Sequence, residues 1–276
     1  MVTASRDYTS EAVEAARSVL VELAHLLGEY RDSIVLVGGW VPPLLLGQHG
    51  EDHVGSIDVD LALDHVRFQP SGYAQIQGLL EGAGYAPDPR QPFIYHRQVG
   101  DVDVEVDLLA GEYEGTGRGH RTQRVQGVCP RKARGCDLAF DAPVEVRVEG
   151  RLPGGAKDSA TVRVASVVAF LTMKGMALAD RLKEKDSYDI YFFVLHYPGG
   201  VASLAEEFAD YANRGLVKEG LGHIADKFAS PDHVGPAQVA DFLDVYGPDD
   251  RALLLRDAYE RVKTLLDEVS KDRSAG

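Results

Sequence analysis

The chain of 276 residues carries 29 basic against 43 acidic side chains, a formal charge of −14, which argues against a dedicated nucleic-acid coater because its surface as a whole repels phosphate. At 45% hydrophobic and 26% charged the composition is globular, excluding wholesale disorder, and no stretch approaches the ~18–20 apolar residues of a membrane helix. Two cysteines, Cys129 and Cys136, exclude a disulfide framework and an all-cysteine metal site, and with Asp7, Glu11 and Glu14 interrupting the N-terminus the expected location is the cytoplasm.

Residues 9 to 30 read as an amphipathic helix, capped by Thr9 or Ser10, with Val13, Val19, Leu20, Leu23, Leu26 and Leu27 at helical spacing. Ile34 to Val37 is a short apolar strand that runs into Gly38-Gly39, and Pro42-Pro43 suit the first turn of a following helix. Residues 56 to 63 alternate strictly: Ile57, Val59, Leu61 and Leu63 share one face, Ser56, Asp58 and Asp60 the other. A helix over 71–84, a strand at Phe93–His96 and a second alternating strand at 101–109 follow. Val144 to Val148 alternates too, and Gly150 to Ala156 reads as a turn or linker.

From Val164 the pattern is helical: 164–181, 187–195, 203–211, 216–228, 237–246 and 249–271, punctuated by Pro198, Pro231, Pro236 and Pro248. The expected fold class is therefore α+β, an N-terminal mixed-sheet domain over residues 1–156 and an all-helical domain over 157–276.

Asp58 and Asp60 leave one strand face roughly 6.5–7 Å apart at the backbone, close enough for both carboxylates to reach one hard cation such as Mg²⁺. The plain alternative for Asp-x-Asp alone is a solvated strand face. The 101–107 strand adds Asp101, Asp103, Glu105 and Asp107 on one face, where mutual repulsion disfavours them without a cation. If the two strands are neighbours, a third carboxylate joins the pair; alternation does not choose among Asp103, Glu105 and Asp107. Gly38-Gly39 before a helix start allows close backbone approach and presents amides to phosphate, and Ser56 adds a hydroxyl. No His-x-x-x-His or His-Glu-x-x-His spacing involves His25, His196 or His223, so no zinc is expected.

Together, strand, Gly-Gly turn, helix, Asp-x-Asp and a later acidic strand resemble the nucleotidyltransferase superfamily of DNA polymerase β-like fold. Lys174-Gly-Met-Ala-Leu-Ala-Asp180-Arg181, followed by Lys185-Asp186-Ser-Tyr-Asp189-Ile-Tyr191, is similar to the K-x-x-A-L-x-D-R…K-D-x-Y-D-L-Y block of the AbiEii-type nucleotidyltransferases. The resemblance spans roughly residues 34 to 195. It implies transfer of a nucleoside monophosphate from an NTP to an acceptor, with two Mg²⁺ ions held by Asp58, Asp60 and Asp107. Gly38, Gly39 and Ser56 fall on the nucleotide-phosphate motif, and Lys174 with Asp186 or Asp189 on the downstream catalytic block. Lys174 is the expected cation at the phosphates. Asp186 also reads as a cap for a helix starting near Ser187. The sequence departs from the family at His53-Val54-Gly55, where a basic residue is usual, and at Trp40, where Thr or Ser is.

The same resemblance implies a toxin with an antitoxin partner, and tRNA as a candidate acceptor. The 118–134 segment, with Arg118, His120, Arg121, Arg124, Arg131, Lys132 and Arg134, is the local basic exception that can grip an RNA backbone; the plain alternative is a solvated loop. Competing readings are an antibiotic-modifying nucleotidyltransferase, a metal-dependent glycosyltransferase and a non-catalytic binding protein of the same fold.

Overall fold

The computed structural model describes residues 4–47, 53–64, 67, 75–112 and 127–275. They fall into two compact units: Tyr8–Leu45 with Gly55–Ser166, and Met1–Asp7 with Leu46–Val54 and Val167–Gly276.

The first unit is a mixed sheet with a helix across one face. Helix α1 spans Ser10–Leu26, with the Thr9 hydroxyl accepting from the Ala12 amide at 3.3 Å, the cap its sequence offers. Strands β1 (Ile34–Val37), β2 (Asp58–Leu63), β3 (Ala86–Pro87), β4 (Ile94–Val99), β5 (Val102–Ala110), β6 (Arg131–Lys132), β7 (Val144–Arg151) and β8 (Lys157–Val164) form one sheet in the order β3-β4-β5-β2-β1-β8-β7. Strand β6 continues the edge of β5 beyond β4, pairing Leu109 with Arg131 and Ala110 with Lys132.

Leu20, Leu23 and Ala24 of α1, with Leu27 just past its end, face Ile34, Leu36, Leu61 and Val162 across a small apolar cavity, so the alternating aliphatic face of β2 lies under the helix. The face bearing Asp58 and Asp60 is the opposite one. Short helices α2 (Val41–Leu45) and α3 (Ile76–Gly82) complete the unit, with a 3₁₀ turn at Gly38–Trp40 leading into α2. The helix expected over 71–84 is thus observed for seven residues, and 71–74 lie outside the described residues.

The sequence reading ends the sheet domain at residue 156, inside the β7–β8 hairpin. Only the residues around Gly155 form the turn (φ +88°, with the Gly155 amide bonded to the Leu152 carbonyl); Gly150 and Arg151 are still in β7. Strand β8 then pairs along its whole length with β7 and places Val164 beside Leu36 of β1, which moves the expected helix start from Val164 to Val167. Period-2 burial is weak in β8 because Lys157 and Asp158 at its start are exposed and Ser159 and Ala160 are only partly buried.

The second unit is helical: α4 (Val167–Asp180), α5 (Glu184–His196), α6 (Gly200–Glu206), α7 (Gly215–Lys227), α8 (Val234–Phe242) and α9 (Pro248–Ala275). Helix α4 crosses α7 with backbones in contact. A Cβ on Gly175 would meet the Gly220 carbonyl oxygen at 2.1 Å, and one on Gly220 would meet the Thr172 carbonyl oxygen at 2.6 Å, so both positions require glycine. Helix α5 is buried nearly all round, its Tyr188 ring 4.5 Å from that of Phe242 in α8. Among the described residues no helix is long and apolar enough to cross a membrane.

Candidate active site

Strands β2 and β5 are parallel neighbours, and their register sets the acidic face. Asp58 stands beside Glu105 and Asp60 beside Asp107, so three aspartates and a glutamate share one patch of sheet. Asp103 lies beyond the paired stretch, with its Oδ2 2.8 Å from Nδ1 of His96. Tertiary pairing thereby separates candidates that alternation leaves equivalent.

The Gly-Gly turn packs directly on this patch. Gly38 has φ +71°, and a Cβ there would lie 1.9 Å from Oδ2 of Asp60; the carboxylate fills the space a side chain would take. Gly39 is buried in the same turn. Ser56, almost fully buried, donates to Oδ1 of Asp58 at 2.5 Å. The departure at Trp40 has a structural role: the buried indole Nε1–H donates to the Asp58 carbonyl at 2.9 Å and ties the turn to the start of β2. Arg17 of α1 lies 5.3 Å from that ring.

Asp107 is held by Arg131, whose Nη2 donates to Oδ2 at 2.7 Å from strand β6. Arg134 likewise donates to Glu112 at 3.0 Å. Of the basic segment expected to grip RNA, Arg131 and Arg134 are therefore engaged with acids of their own unit. Arg118, His120, Arg121 and Arg124 lie outside the described residues.

Among the described residues no three His, Cys, Asp or Glu side chains are gathered closely enough to hold a metal ion. The donor chemistry nevertheless fits a hard cation. Asp58 and Asp60 offer carboxylate oxygens from one strand face and Asp107 a third from the in-register neighbour. Among their contacts, Asp58 accepts from Ser56 and Asp107 from Arg131.

The downstream motif residues sit in the helical unit as a buried ionic network. The Lys174 ammonium lies 2.7 Å from Asp186 and 2.7 Å from Asp189. Arg181 adds a bond to Asp186 at 2.9 Å, and Lys185 chelates both oxygens of Asp189 at 2.9 and 3.0 Å. Burial favours neutral Lys174, but the two aspartates outweigh it and raise its pKa above the ordinary lysine value. Burial likewise raises the carboxyl groups, and the cations win there too, holding Asp186 below and Asp189 well below the usual carboxylate range. Helix α5 begins at Glu184 with Lys183 at its cap position, so Asp186 does not cap it; its carboxylate is turned to Lys174 and Arg181 instead.

His53 completes the network. Its side chain is fully buried, with Nε2 3.0 Å from Asp189 and its ring against Tyr188 and Phe192. Burial lowers its pKa to about 4 despite the bond to Asp189, so a neutral imidazole donates to the carboxylate near pH 7.

A family model described as nucleotidyl transferase AbiEii toxin, type IV toxin–antitoxin system, matches residues 23–268. The chain belongs to this family. It is accordingly an NTP-dependent nucleotidyltransferase, and the match runs through both the acidic sheet and the helical network. No curated protein and no solved structure matches the chain.

Seen as an AbiEii-family fold, the chain has one residue that motif reading left without a role and that acts on a motif residue from far away in the sequence. Lys185 and Arg181 belong to the block itself, and the structure gives them partners: Lys185 bonds Asp189 one turn further along α5, and Arg181 bonds Asp186 across the turn between α4 and α5. His53 stands where the family usually has a basic residue. That substitution was the available signal, and the buried bond to Asp189, 136 positions later, was not.

Proposed function

We propose that this AbiEii-family enzyme uses Asp58, Asp60 and Asp107 to hold two Mg²⁺ ions during transfer of a nucleoside monophosphate from an NTP, and that the acceptor is tRNA. The observation that carries the metal reading is the β2–β5 register, which sets Asp60 beside Asp107 on the face where Asp60 meets the Gly38 turn. Bound there, the ions would supply positive charge against the negative charge that develops on the phosphates in transfer.

The residues of the chain divide the remaining work. Gly38 and Gly39 bring backbone close to the phosphates, and Ser56 orients the Asp58 carboxylate through its hydroxyl. Asp107 also serves to accept the proton of the acceptor hydroxyl. Lys174 is assigned to charge stabilisation through the family block, and Asp186 and Asp189 keep it protonated and fixed. An antitoxin is the expected protein partner, in keeping with the family's two-component systems. For the acceptor, support comes from Arg118, His120, Arg121, Arg124 and Lys132 of the basic segment, since binding responds to potential within a Debye length, ~8 Å at physiological salt, rather than to net charge.

The test is incubation of the protein with each labelled NTP, Mg²⁺ and total RNA. Label is expected on tRNA, and Asp58→Ala or Asp60→Ala should abolish it while leaving the far-UV circular dichroism unchanged. Wild-type rates in both variants would overturn the metal assignment, and label on a small antibiotic alone would overturn the acceptor.

A further inference from the structure

Four acids on one patch of sheet repel one another, and strand β6 supplies a counter-charge from within the chain. Arg131 is fixed at its backbone by pairing with Leu109 of β5, two residues beyond Asp107. Its guanidinium bonds Oδ2 of Asp107 at 2.7 Å and lies 5.6 Å from the centre of the Phe93 ring, which limits where the side chain can swing. Both side chains are mostly shielded, at 30% and 17% exposure, so water screens the pair only in part. A carboxylate held in this way is charge-balanced before any metal arrives.

We propose that Arg131 is a resident cation that competes with the divalent ion for Asp107 and thereby sets the metal affinity of the site. The inference rests on the assignment of Asp58, Asp60 and Asp107 as metal ligands. An oxygen that accepts a guanidinium N–H has that lone pair committed, and a guanidinium and a divalent cation on one carboxylate repel. Metal binding through Asp107 is therefore opposed while Arg131 stays in place and strengthened when it withdraws. Because the β6 backbone is held in the ladder, the withdrawal is a side-chain rotation and leaves the sheet in place. Arg131 in this role tunes the site and does not grip RNA.

The experiment is titration of full-length protein with Mn²⁺ without nucleotide, following free Mn²⁺ by electron paramagnetic resonance. Arg131→Gln should tighten Mn²⁺ binding by about tenfold, the scale of losing a partly shielded charge-assisted competitor. Arg131→Lys, which keeps the charge, should stay within about threefold of wild type. Unchanged or weaker binding by folded Arg131→Gln overturns the competition, because a residue that merely positions Asp107 would weaken the site when removed. If Arg131→Gln does not fold, the wild-type Arg131 Nε resonance, assigned by its absence in Arg131→Lys, must shift on Mg²⁺ addition; an unmoved signal overturns the proposal. Failure of the metal assignment has a different signature: wild type, Arg131→Gln and Asp58→Ala would then all bind Mn²⁺ equally weakly, which overturns both.

Discussion

Gly38→Ala tests the packing of the Gly-Gly turn on the acidic patch. The new Cβ would sit 1.9 Å from Oδ2 and 2.7 Å from Cγ of Asp60, at a residue with φ +71°. The backbone strain costs about 1 kcal/mol, the usual penalty for an L side chain in the left-handed region. The clash is relieved if the Asp60 carboxylate retreats by about 1.5 Å to ordinary van der Waals separation, which its half-exposed position permits at about 1 kcal/mol more. Total destabilisation of about 2 kcal/mol is therefore expected, with a much larger effect on activity. Moving a positioned group by ~1 Å costs about a hundredfold in rate. Gly100→Ala is the control, with φ +58° and nothing within 4 Å, so it carries the strain alone and should leave transfer intact. Urea denaturation and the rate of labelled-NMP transfer measure both quantities. In an Asp60→Ala background, Gly38→Ala should cost only the ~1 kcal/mol of strain, because the group it strikes is gone. Gly38→Ala within threefold of the wild-type rate would refute the close packing of turn and carboxylate.

Lys174→Met should destabilise the helical unit by about 3 kcal/mol, the low end for a broken buried pair because Asp186 keeps Arg181 and Asp189 keeps Lys185. The specific activity of the remaining folded protein should fall at least tenfold; if it is spared, Lys174 is structural only. Stability should also decline as pH falls from 6.5 towards 4. There the unfolded chain protonates His53 while the fold, with its pKa lowered to about 4, refuses the proton, a loss of about 2 kcal/mol by pH 5. The lowered Asp186 and Asp189 contribute above the ordinary carboxylate pKa and lose that contribution only as pH drops through their folded values, so they act below the His53 window. His53→Gln should flatten the slope between pH 7.5 and 5 in urea unfolding, and an unaltered slope would exclude His53 as its source. Binding of tRNA should weaken steeply between low and physiological salt, and Arg121→Ala with Arg124→Ala should impair tRNA labelling but not NTP binding, as read by filter binding. Normal tRNA labelling by that double variant would remove the basic segment from the acceptor site.

Much of this protein was legible without coordinates, because the decisive signals are local. Strict alternation at 56–63 and 101–109 identifies β2 and β5, and helical spacing with Thr9 as cap identifies α1, since backbone periodicity alone decides which side chains share a face. The Lys174 and Asp186–Asp189 block was legible as a motif for the same reason, its members lying within sixteen positions of one another. Strand β8 was not, because three polar residues open it and its order comes from pairing with β7 and with Leu36. Which acid accompanies Asp60 was likewise undetermined, since Asp103, Glu105 and Asp107 are equivalent by alternation and only the register of two strands 47 positions apart distinguishes them. The long-range partners of the charged groups were decided by tertiary structure alone. Arg131 on Asp107 and His53 on Asp189 arise from burial, which makes an uncompensated carboxylate so costly that the fold brings a cation to one and a neutral imidazole N–H to the other from distant segments, and sequence spacing carries no trace of that requirement.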